Sequence, residues 1–124
     1  MEATDLRILN YVKSPYGLSI VYGINKECIQ ITLPNNDTVF DFNDDEIQPI
    51  ELTEELLLKC GANKSIAVEE SFLYSRFRLF WKSSYNYWYV VDSVTNTYMT
   101  KIEFLHEWQN FIQVMDENEL QIIL

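Results

Sequence analysis

Residues Ser71–Trp81 and Tyr87–Val94 form two aromatic, β-branched runs that flank the polar stretch Lys82-Ser83-Ser84-Tyr85-Asn86. Such runs fit a pleated, half-buried surface, and a short polar break between them is a hairpin signal. The sequence therefore predicts a long aromatic β-hairpin, and any fold for this chain must bury one face of it. With Trp81 opposite Trp88, Leu73, Phe77, Leu79 and Trp81 fall on one face. Phe72, Tyr74, Arg76, Arg78, Phe80 and Lys82 fall on the other, beside Tyr87 and Tyr89.

Upstream, the chain reads as short strands divided by turn residues. Arg7–Lys13 runs into Ser14-Pro15-Tyr16-Gly17, where Pro presets a turn dihedral and Gly tolerates positive φ. Leu18–Ile24, Cys28–Leu33 and Thr38–Phe42 follow, with a bend at Gly23–Lys26 and a turn at Pro34–Asp37. Four short strands of this kind predict a bent antiparallel meander or a small SH3-like barrel.

Helix punctuation appears twice. Over Pro49–Gly61, Thr53 is placed as N-cap, Glu54 and Glu55 in the first turn, Gly61 at the left-handed C′ position, and Leu52 and Leu57 as a hydrophobic staple. Over Thr100–Met115, Thr100 and Glu103 read as a capping box and Met99 and Phe104 as its staple. Ile102, Leu105, Trp108, Ile112 and Met115 give one apolar stripe. Leu120–Leu124 reads as a last strand. The expected architecture is α+β, one domain over residues 1–124 with a β lobe over 5–48 and a helix–hairpin–helix lobe over 49–124. A chain of this length has enough core to fold without staples.

Charge narrows the function classes. Nineteen carboxylates stand against nine Lys and Arg, a net charge of −10, which disfavours general nucleic-acid binding. No apolar run approaches the roughly 20 residues of a membrane span, and the acidic start Met1–Asp5 lacks secretory character. A cytoplasmic location is the expectation, with Cys28 and Cys60 as partly buried thiols. Asp37, Asp41, Asp44, Asp45 and Glu46 belong to a dense acidic stretch that extends to Glu55, a candidate surface for a protein partner. Asp41, Asn43 and Asp45 have the opening spacing of an EF-hand, but Glu46 replaces its glycine and Leu52 its closing glutamate, so no metal is expected. No phosphate-binding glycine loop is present, and no cofactor is expected.

The remaining candidates are two. Tyr74, Arg76, Arg78, Lys82, Tyr87 and Tyr89 alternate cations with rings, a pattern that either grips a nucleotide or makes cross-strand cation–π contacts on a solvated face. His106, Gln109 and Asn110 are a possible helix-borne polar site, with the satisfaction of buried backbone as the other reading. His106 is the sole imidazole, which argues against nucleophile-and-base catalysis and for a non-enzymatic protein. The exposed rings also suit a homo-oligomer interface.

Three segments resemble a family of small proteins of Bacteroidetes phages, prophages and mobile elements. Leu6-Arg7-Ile8-Leu9-Asn10-Tyr11-Val12 is similar to the family's LRIGNxV, and Leu105-His106-Glu107-Trp108-Gln109-Asn110-Phe111 is similar to VHQLQNLYF. Ile47-Gln48-Pro49-Ile50-Glu51-Leu52-Thr53-Glu54-Glu55-Leu56-Leu57-Leu58-Lys59-Cys60-Gly61 is similar to IKPIPLTEEWLLKFGF. Leu9 stands for a glycine, Leu56 for a tryptophan and Trp108 for a leucine. The resemblance implies a phage or mobile-element accessory protein, and together with the acidic surface it gives the expectation of a host-protein binder that blocks a defence system. The alternative is a binder that sequesters a nucleotide-derived immune signal.

Overall fold

The computed structural model describes residues 6–26, 28–65 and 71–116, together with Leu120 and Ile122. Its architecture is α+β, and the described residues divide into two units: one of residues 6–51 and 104–116, the other of residues 52–103 with Leu120 and Ile122. The C-terminal helix thus belongs with the first unit, whereas the sequence groups it with the hairpin.

In the first unit, tight turns and alternating side chains produce a four-stranded antiparallel sheet in sequential order. Its strands are β1 (Tyr11–Ser14), β2 (Gly17–Ile24), β3 (Ile29–Leu33) and β4 (Asn36–Phe42). The predicted Ser14–Gly17 turn closes β1 on β2, with Gly17 at φ +96°. Val12, Val21, Ile29, Ile31 and Ile47 are fully buried, and Leu33, Phe40 and Phe42 pack against them. The meander is open rather than barrel-shaped, because β1 and β4 do not pair among the described residues. The outer edge of β1 instead takes Gln48, through Lys13 N–H to Gln48 O (2.9 Å) and Gln48 N–H to Lys13 O (2.8 Å).

The first strand begins at Tyr11, not Arg7. Asn10 N–H donates to Arg7 O at 3.1 Å, and Leu9 sits at φ +77°, so the chain turns before it extends. A leucine held there carries local strain that a glycine would not. Leu9 is the position at which the resembled motif has glycine.

The second unit opens with α1 (Glu54–Lys59). Thr53 caps it, its Oγ1 accepting from Leu56 N–H at 3.2 Å, and Gly61 takes φ +92° just past its end. Leu52 and Leu57 are buried, as a staple requires. Residues 49–52 stay outside the helix. Ile50 O accepts instead from Leu105 N–H at 2.7 Å and Glu51 pairs with Phe104.

A five-stranded antiparallel sheet follows, again in sequential order: β5 (Asn63–Lys64), β6 (Ser71–Tyr74), β7 (Phe77–Lys82), β8 (Tyr87–Asp92) and β9 (Thr97–Ile102). Trp81 lies opposite Trp88, the expected register. The expected strand Ser71–Trp81 is two strands, however. The chain reverses at Ser75 (φ +54°) and Arg76, setting Tyr74 opposite Phe77. That reversal changes side-chain parity upstream. Phe72 and Tyr74 join the face of Phe77 and Leu79, while Leu73 moves to the face of Arg78. The inner face buries Phe72, Phe77, Leu79, Trp88 and Val90. Phe72 meets Trp88 edge to face at 5.7 Å, and the Trp88 indole N–H donates to Leu52 O at 2.8 Å.

The second helix, α2, spans Leu105–Asp116 rather than starting at Thr100. Thr97–Ile102 pairs with β8, so Thr100 and Glu103 cannot form a helix cap. Glu107 performs the reach-back instead, its Oε1 accepting from Phe104 N–H at 3.0 Å. Leu105, Trp108 and Ile112 are the buried stripe of this helix. The strand expected over 120–124 falls mostly outside the described residues. Among those residues no helix is long and apolar enough to cross a membrane.

Candidate functional site

The acidic residues line one side of the first unit. β4 is an edge strand, and Phe40 and Phe42 turn toward the core. Asp41, between those two rings, therefore falls on the opposite side, and Asp37, Val39 and Asp41 are all exposed, the ladder being irregular between Asn36 and Phe40. The row continues into a 3-10 turn at Asp44–Glu46, all exposed. Glu46 Oε1 accepts from Asn43 N–H at 3.0 Å, which fixes this carboxylate in place. The same side chain lines an open groove of about 620 Å³ with Lys13, Ser14, Pro15, Gln48, Pro49, Ile50 and Glu51. Sequence reading does not find this groove, because it depends on Gln48 pairing with Lys13 across the β1 edge.

Gln109 and Asn110 of α2 hydrogen-bond within their own unit. Gln109 is 1% exposed; its Oε1 accepts from Tyr11 N–H at 2.8 Å and its Nε2 donates to Leu9 O at 3.2 Å. Asn110 Oδ1 accepts from Asn10 Nδ2 (2.8 Å) and from Arg7 Nε (3.1 Å). Together they hold the strained turn before β1. His106 is buried and stacks on Phe104 at 5.9 Å with the planes 10° apart. The three residues share a helix, but Gln109 and Asn110 point their amides into backbone and side-chain partners of their own unit.

The cation–ring face is rearranged by the Ser75 turn. Arg78, Phe80 and Lys82 of β7 stand beside Tyr89 and Tyr87 of β8, and Lys101 of β9 joins them opposite Tyr89. Phe80 and Tyr89 stack at 5.0 Å, Lys82 Nζ lies 5.9 Å from the Tyr89 ring centre, and Lys101 Nζ lies 5.5 Å from that of Tyr87. Arg78 donates to Ser65 Oγ (2.8 Å) and Ser71 Oγ (3.3 Å). Tyr74 lies on the inner side, away from this group. Arg76 occupies the turn, where it pairs with Asp92 (3.4 Å) and covers the Phe77 ring at 5.4 Å. Lys101 is the member that sequence reading missed, because Thr100–Ile102, the end of β9, is assigned there to the second helix.

Asp92 closes the β8–β9 turn. Its Oδ1 accepts from Val94 N–H (2.9 Å) and Thr95 N–H (3.2 Å). The Thr95 and Val94 amides, with the nearby Arg76 guanidinium, hold its carboxyl below the usual range. Cys60 is buried and its thiol is pushed up to about 12 by desolvation, so it is inert as a nucleophile at neutral pH. Among the described residues no three His, Cys, Asp or Glu side chains gather as a metal site would require. Comparison with protein-family models, curated proteins and solved structures finds no match for this chain.

Proposed function

We propose that this chain is a non-enzymatic binding protein whose acidic β4 side engages a basic surface of a protein partner. One observation carries the reading. Asp37 and Asp41 project from an exposed edge strand, and the row runs through Asp44 and Asp45 to Glu46 at the mouth of the groove. Aligned charge of one sign accelerates encounter with the opposite sign and fixes orientation on docking. The groove adds shape: Pro15, Pro49 and Ile50 offer an apolar floor to the stem of a lysine or arginine whose head reaches Glu46 or Glu51. The resemblance to mobile-element proteins motivates looking for the partner in a bacterial host.

The experiment is cross-linked capture from host lysate with wild-type protein and with the Asp41→Lys/Asp44→Lys/Asp45→Lys triple variant. The expected result is a partner whose cross-links map to residues 36–51 and which the variant fails to retain. Capture that survives charge reversal would overturn the reading.

A further inference from the structure

The outer face of the five-stranded sheet gathers three of the chain's nine cationic residues, Arg78, Lys82 and Lys101, around Phe80, Tyr87 and Tyr89. These rings are half-buried on that face, whereas the inner face of the same strands is closed by Phe77, Leu79 and Val90. From this juxtaposition we propose that the face is a binding site for a nucleoside phosphate, its base stacked on the tyrosines and its phosphates held by the lysines and Arg78.

The geometry supplies both halves of the recognition. Tyr87 and Tyr89 are two residues apart on one strand, hence about 6.8 Å apart on one face, a spacing that admits a planar ring against either. Each ring now carries an ammonium: Lys101 over Tyr87 and Lys82 over Tyr89. A nucleotide exchanges these contacts pairwise, since its base takes the ring face that the ammonium leaves and its phosphate takes the ammonium. Arg78 needs no such movement. Ser65 and Ser71 hold its guanidinium through Nη1, which leaves Nε and Nη2 to donate to a phosphate. The occupant is small because three cations neutralise a nucleotide, whereas a chain of net charge −10 repels a polyanion that extends beyond them.

The test is calorimetric titration of the full chain with each of the four ribonucleoside triphosphates, with tripolyphosphate, and with a ten-nucleotide single-stranded RNA. Binding of at least one nucleoside triphosphate is expected, weakened about tenfold or more in Tyr89→Leu and in Lys82→Ala/Lys101→Ala. No nucleotide binding at millimolar concentration would overturn the proposal. So would tripolyphosphate binding as tightly as the nucleotides, which would show charge without stacking, or RNA binding more tightly than any of them. The Asp41→Lys/Asp44→Lys/Asp45→Lys variant should retain nucleotide binding, so failure here is distinguishable from failure of the acidic surface.

Discussion

The four-stranded sheet turns its carboxylates outward along β4, whereas the five-stranded sheet lays its lysines over its own rings. Both are antiparallel meanders in sequential order, so topology does not separate them. Core chemistry does. The first unit fills its sheet core with Val and Ile and fastens the turn before β1 with two amides, Gln109 and Asn110. The second fills its core with Phe and Trp and satisfies its indole on Leu52 O. A π face draws a cation but not a carboxylate, so Lys82 and Lys101 settle on the rings of their own sheet while the carboxylates of β4 stay in solvent.

That comparison breaks most sharply at the aromatic core. Phe77→Ala removes a fully buried ring and should cost about 3–5 kcal/mol, read by denaturant unfolding. A loss as small as that of a surface change would mean the second unit does not depend on its rings. Gln109→Ala strips partners from the Tyr11 N–H and Leu9 carbonyl, and about 2–4 kcal/mol of destabilisation is expected in the same assay. Gln109→Glu should recover only part of it, because a carboxylate accepts from Tyr11 but cannot donate to Leu9. A fully stable Gln109→Ala variant would show that the amide does not clamp the first unit.

Smaller effects sharpen the contrast. Thr53→Ala should lower stability by about 1 kcal/mol through loss of the α1 cap. Leu9→Gly should run the other way, with a gain of up to about 1 kcal/mol in melting experiments, because glycine relieves the left-handed strain at φ +77°. A loss of stability there would mean that the leucine side chain contributes more than its backbone costs.

Local signals of the fold were legible in the sequence where one residue type enforces one geometry. Pro15 and Gly17 announced the first hairpin, Thr53 and Gly61 bounded α1, and the Trp81–Trp88 register followed from the break between aromatic runs. Signals failed where a turn lacked glycine or proline. Ser75 takes positive φ without advertising it, so one expected strand became two and Phe72 and Tyr74 changed faces. Thr100 offered a cap to a helix that pairing with β8 overrode. Of the candidate sites, the density of carboxylates from Asp37 to Glu46 was visible, but the groove beside Glu46 and the placement of Lys101 required pairings distant in sequence.

The measurement that bears most directly on the separate roles of the two faces is the salt-dependent affinity of the captured partner for three proteins. These are wild type, Asp37→Lys/Asp41→Lys and Lys82→Ala/Lys101→Ala. The account predicts that wild-type affinity falls as salt rises, that charge reversal on β4 abolishes binding, and that the lysine pair variant binds as wild type does. Binding that persists in the β4 variant and disappears in the lysine variant would contradict it and assign the partner to the five-stranded sheet.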